Sequence, residues 1–95
     1  MAFYFLAEIE SINDPEKYAE YIGKAEPIVE KYGGTYIVKS EKLDVISGNW
    51  NTKKIVLIKF NSKEAIGNCF GSAEYLRIKH LRTESTGSKS MVIEE

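Results

Sequence analysis

A chain of 95 residues with 13 basic and 14 acidic side chains, formal net charge −1, has no electrostatic bias toward an anionic polymer. Lysines and glutamates are interleaved and no basic stripe stands ready to neutralise phosphates, so nucleic acid is not an expected partner. The length suits one domain, residues 1–95, which buries only roughly 60–65% of its unfolded surface and would gain from a second copy.

The first predicted element is a strand over residues 2–10. Phe3, Phe5, Ala7 and Ile9 share one face, and Tyr4, Leu6, Glu8 and Glu10 share the other. Glu8 interrupts the apolar run and no basic region precedes it, so this start reads as a strand and not as a signal peptide. No segment is long enough to span a bilayer, and no membrane partner is expected. The single cysteine, Cys69, has no internal disulfide partner and fits a reducing compartment; a cytoplasmic location is the expectation.

Asn13-Asp14-Pro15-Glu16 predicts a helix start. Asp14 can accept a backbone N–H as N-cap, Pro15 lacks an N–H that would be orphaned there, and Glu16 suits the positive helix end. Tyr18, Ile22, Ala25, Val29 and Tyr32 then recur at helical spacing, flanked by Tyr21 and Ile28. Pro27 falls opposite this stripe and predicts a bend; Gly33-Gly34 ends the helix. Residues 35–39 read as a second strand that 43–47 could extend, and Ser47 to Thr52 as turn or loop.

The third strand, 53–60, is apolar on both faces. Ile55 and Leu57 point one way, and Val56, Ile58 and Phe60 the other. Helices cover one side of such a sheet, and another copy of the chain is the expected cover for the second. Ser62 caps a further helix containing Ala65, Ile66 and Phe70. Gly71-Ser72 interrupts it, and Ser72 can cap a continuation through about Arg82. Thr83 to Ser90 reads as loop and Met91 to Ile93 as a short last strand.

The order is βαββαβ, an α+β ferredoxin-like arrangement. Right-handed crossovers predict an antiparallel sheet in the order 4-1-3-2 with both helical layers on one face.

The segments Tyr4 to Glu10, Asp14-Pro15 with Tyr18 and Tyr21, and Tyr32-Gly33-Gly34-Thr35-Tyr36-Ile37-Val38 carry a resemblance. So do Gly48-Asn49-Trp50, Ile58 to Ser62, and Ser72-Ala73-Glu74-Tyr75 running to Arg82. Together they resemble the family called domain of unknown function 1330, in the dimeric α+β barrel superfamily. The resemblance covers nearly the whole chain and implies a homodimer whose two sheets face each other. The superfamily includes cofactor-free monooxygenases, isomerases, haem-degrading enzymes and plain binding modules, so the fold alone selects no reaction. Lys39-Ser40-Glu41 stands where the family tends to have an arginine and two glycines, and His80 where a proline is common.

Five residues are candidates for a site. His80, the only histidine, could serve as a general base near neutral pH; an exposed helix histidine is the bland alternative. Arg82 lies near Tyr75 and Ile78 on the helical wheel and could clamp a carboxylate, or else form an ion pair with Glu8, Glu10 or a neighbouring subunit. Glu8, on the strand face of Tyr4 and Leu6, could act as acid or base if desolvated, or pair with Lys59 or Arg82. Tyr18 belongs to the helix stripe and is either core or pocket wall. Trp50 could be a pocket lid, a dimer contact or a cover for the core edge.

One histidine and one cysteine make no metal cluster at a recognised spacing, and no cofactor-binding motif appears. The expectation is a homodimer with a small, largely apolar pocket near Tyr18, Glu8, His80 and Arg82. It takes a small organic ligand as a binding module, or acts as a cofactor-free enzyme on a small organic acid or aromatic.

Overall fold

The computed structural model describes residues 2–95. In chain order the elements are β1 (Phe3–Ile12), α1 (Pro15–Lys31), β2 (Thr35–Ser40), β3 (Lys54–Phe60), α2 (Lys63–Phe70), α3 (Ala73–Ser85) and β4 (Thr86–Glu94). The strands form one antiparallel sheet in the order β2-β3-β1-β4. This is the expected ferredoxin-like topology, with the second helical position divided into α2 and α3.

Each helix begins on a side chain that accepts an otherwise orphaned backbone N–H. Asp14 accepts from Lys17 at 3.1 Å, Ser62 from Ala65 at 3.0 Å and Ser72 from Tyr75 at 3.1 Å. Pro27 lies on the exposed face of α1, and the helix continues through it to Lys31. Gly33 then takes a positive φ of 89°, and Gly34 donates its N–H to the Val29 carbonyl at 2.9 Å. A Cβ on Gly34 would sit 2.5 Å from Val29 Cγ1 and 2.9 Å from Phe60 Cζ, so the chain enters β2 where only glycine fits.

Strand alternation sorts the sheet into two faces. Phe5, Ala7, Ile9, Val56, Ile58 and Phe60 face the helices. Phe5 stacks on Phe70 of α2 with centroids 4.3 Å apart, and Val29, Ile58, Phe60, Ile66 and Cys69 form one buried cluster. A second cluster joins α1 to α3 through Ala25, Tyr75, Ile78 and Leu81. The opposite face carries Tyr4, Leu6, Ile55, Leu57, Met91 and Ile93, brought side by side by the pairings Leu6↔Leu57, Leu6↔Met91 and Tyr4↔Ile93. Among the described residues no helix packs on this side, and Met91 is 60% exposed.

Two expectations are corrected. Residues 43–47 do not extend β2; they belong to a loop between Ser40 and Lys54 that turns at Gly48, with φ 88°. Nor is Thr83 to Ser90 a loop. Helix α3 runs on to Ser85, whose fully buried hydroxyl donates to the Leu81 carbonyl, while Thr86 Oγ1 donates to Arg82 O at 2.7 Å. The small polar side chains therefore satisfy their own helix end instead of facing water. From Thr86 the backbone pairs with β1 along its whole length, from Ile12↔Thr86 to Phe3↔Glu94. As an edge strand β4 needs no apolar alternation to hold its register.

Candidate functional site

A cavity of about 70 Å³ lies between α1 and the helix-facing side of the sheet. Its walls follow from the two periodicities. Tyr18, Tyr21, Ala25 and Val29 recur along one stripe of α1, and Phe5, Ala7 and Ile9 alternate along β1. Ala7 and Ala25 are short where longer side chains would fill the space. Val56 and Ile58 of β3, Phe70 of α2, and Tyr75 and Arg82 of α3 complete an aromatic and aliphatic lining.

One end of this cavity is polar. Arg82 Nε donates to the Tyr75 hydroxyl at 3.2 Å, and one terminal nitrogen donates to Ser88 Oγ at 3.3 Å. The Tyr75 and Tyr21 hydroxyls lie 2.8 Å apart. That pair owns two phenol protons and uses one between the two oxygens, which leaves one O–H for an occupant of the cavity. Burial pushes the Tyr21 phenol well above its usual range, with Tyr75 beside it adding to the shift, so at neutral pH it is a donor and not a base. Burial alone would weaken the charge on Arg82, but the neighbouring Tyr75 and Tyr21 hydroxyls carry its pKa upward on balance. No carboxylate lies within ion-pair distance of Arg82 among the described residues; its partners are neutral hydroxyls.

At another part of the lining, Lys39 Nζ pairs with Glu26 at 3.0 Å and lies 4.9 Å from the Tyr36 ring centre. Lys39 also lines the cavity. Lys54 lies 4.9 Å over the ring of Tyr18. Burial raises the Tyr36 phenol strongly and lifts the Cys69 thiol to about 11, which leaves that thiol protonated in the core.

Of the five candidates, the cavity brings together Tyr18 and Arg82. Tyr18 is buried and lines the wall beside Tyr21. Glu8 does not join them: it projects from the opposite sheet face, where its carboxylate accepts from Thr52 Oγ1 at 2.7 Å and has Lys89 Nζ at 4.0 Å. Its partners are therefore neither Lys59 nor Arg82. His80 is exposed on α3 and takes no part in the lining. Trp50 is 57% exposed, with its indole N–H donating to Ser47 O at 2.9 Å. It borders a shallow groove with Val45, Ile46 and Ile55, so it neither closes the Arg82 cavity nor covers the core edge.

Sequence reasoning missed Glu26, Lys39, Lys54 and Ser88 as wall residues. Alternation alone places Lys54 on the side of Val56 and Ile58. Ser88 lies in β4, within the small, polar stretch whose composition reads as loop.

No curated protein matches the chain. Solved structures match in fold. A dimeric ferredoxin-like protein of unknown function from Jannaschia sp. superposes with a TM-score of 0.81 at 14% identity, covering 100% of each chain. A protein of unknown function from Rhodopseudomonas palustris gives 0.78 at 14% identity, covering 99% of this chain and 82% of that one. A mutant of SnoaB, a cofactor-independent oxygenase from Streptomyces nogalater, gives 0.72 at 6% identity, covering 99% and 92%. These likenesses concern the fold. Residues 2–95 match the family described as domain of unknown function (DUF1330), and the chain belongs to that family.

Proposed function

We propose that the protein is a homodimeric binding protein for a small organic acid, with the acid's carboxylate held by Arg82 inside the cavity of each subunit. The observation that carries this reading is a half-buried guanidinium, aimed into an apolar cavity, whose partners are all neutral. A charge removed from water is normally matched by an opposite charge, and a carboxylate would supply it in a planar two-bonded fork. The spare phenol proton of the Tyr21–Tyr75 pair is a further donor for the same anion.

The homodimer is supported by the apolar open face of the sheet and by the dimeric description of the Jannaschia protein. The exposed Val45, Ile46 and Trp50 border that face through Ile55 and extend the surface a partner would cover. No helix among the described residues is long and apolar enough to cross a membrane. The free, buried Cys69 fits a reducing compartment and supports a cytoplasmic location.

Calorimetric titration with propionate tests the acid site. Wild-type protein should bind it, and Arg82→Lys should weaken binding about tenfold by losing the two-bonded fork, with the fold retained. Equal affinity in both proteins would remove Arg82 from the site.

A cofactor-free enzyme is the second reading, favoured by the same protonated Tyr21 beside a guanidinium. Such donors stabilise negative charge developing on a carbonyl oxygen. Exchange of the acid's α-protons with deuterated solvent, followed by NMR, would reveal that activity; no exchange above the protein-free rate would leave the binding reading alone.

A further inference from the structure

Five charged residues contribute to the cavity wall: Glu26, Lys39, Lys54, Arg82 and Lys89. Glu26 and Lys39 neutralise each other at 3.0 Å. Lys89 lies 3.8 Å from Glu10 and 4.0 Å from Glu8, on the far side of the sheet. Arg82 and Lys54 remain. Neither has a carboxylate within 4.0 Å among the described residues, and Lys54 rests only on the Tyr18 ring. The cavity thus carries two uncompensated positive charges.

The sheet register puts both at one level. Ile9 of β1 pairs with Lys54 on one side and with Ser88 on the other, and Ser88 accepts from Arg82. Lys54 and Ser88 therefore flank Ile9 in one row on the helix-facing side. Their backbones are about 10 Å apart, two strand spacings. Tyr18 and Tyr21, ring centres 6.2 Å apart, lie on the α1 side of this row, between the Lys54 ammonium and the Tyr75–Arg82 end.

We infer that the ligand is a compact dicarboxylate, one carboxylate on Arg82 and the other on Lys54. The inference rests on the acid-binding reading above and specifies its substrate class. A monocarboxylate would neutralise one cation and leave the other in a partly buried site with an aromatic ring as its sole partner. A second carboxylate compensates both. The two cations differ in kind: Arg82 offers a planar fork held by Tyr75 and Ser88, whereas the Lys54 ammonium is a point charge on a flexible stem that accepts a carboxylate in any orientation.

The test compares succinate with propionate by calorimetry, on wild-type protein and on Lys54→Gln, Lys54→Arg and Arg82→Gln. Succinate should bind wild type about tenfold more tightly than propionate, the contribution of one further close charge pair. Lys54→Gln should bring the two acids to near parity by weakening succinate far more than propionate, and Lys54→Arg should keep the preference. Arg82→Gln should weaken both acids. A purely structural Lys54 would shift both affinities together. If succinate binds no better than propionate while propionate binding still needs Arg82, the dicarboxylate assignment is wrong and the acid site stands. A preference that survives in Lys54→Gln also overturns the assignment. Failure of both acids to bind wild type overturns both readings.

Discussion

The hydroxyls of Tyr21 and Tyr75 meet at 2.8 Å, and through them α1 and α3 share the hydrogen bond that braces Arg82. Tyr75 is buried and serves both Tyr21 and the guanidinium. Tyr75→Phe should cost about 1–3 kcal/mol, because it strands two partners. Tyr21→Phe breaks one bond and should cost only about 0.5–1.5 kcal/mol. Urea denaturation of the two variants checks the order; equal costs would mean that the Arg82–Tyr75 bond contributes nothing.

The same phenols predict alkaline sensitivity. Tyr21 and Tyr36 have folded pKa values raised above the unfolded 10.0, chiefly by burial. Below that pH both states hold the proton and stability is unaffected. Above it the unfolded chain loses protons that the folded chain keeps, so stability falls as pH rises. Tyr21→Phe should flatten this fall. A stability profile that stays level above pH 10.0, or one unchanged by Tyr21→Phe, would contradict the assignment.

Val56 and Leu57 are adjacent but should fail differently. Val56 faces the helices and lines the cavity, while Leu57 pairs with Leu6 and Val38 on the open face. Val56→Asp should unfold the chain by burying a charge among apolar walls. Leu57→Asp should leave the subunit folded and shift a dimer to monomer in light scattering. A folded Val56→Asp protein would show that these faces are exchanged.

Gly34→Ala should destabilise by about 1–3 kcal/mol through overpacking against Val29 and Phe60. Thermal unfolding checks this. A neutral substitution would mean that the entry to β2 has more room than the 2.5 Å approach to Val29 allows.

Local chemistry made much of the frame legible. Asp14, Ser62 and Ser72 announce helix starts because a short side-chain acceptor before an apolar-periodic run has a specific task. Gly33-Gly34 and Gly71 mark the ends of α1 and α2 for an equally local reason. Strand alternation correctly grouped Glu8 with Tyr4 and Leu6. That same grouping separates it from Arg82 once the helices are seen to cover the Phe5 face, a tertiary choice that no local signal encodes. The segment from Thr83 to Ser90 misled because small polar residues look alike in a loop, a helix end and an edge strand; only the pairing with β1 distinguishes them. Arg82 is legible because it lies seven positions after Tyr75, two turns along one helix. Lys54 carries no such signal, because a lysine at the first residue of a strand ordinarily keeps its ammonium in water, and only the fold sets it over the Tyr18 ring.

A crystal structure grown with saturating propionate tests most directly whether Arg82 receives a carboxylate inside the subunit. The predicted result is a carboxylate within hydrogen-bond distance of the Arg82 guanidinium and of a Tyr21 or Tyr75 hydroxyl, with its carbon chain among Phe5, Ala7 and Ala25. A cavity without propionate at saturation, or an Arg82 swung out to pair with a carboxylate of the protein itself, would contradict it.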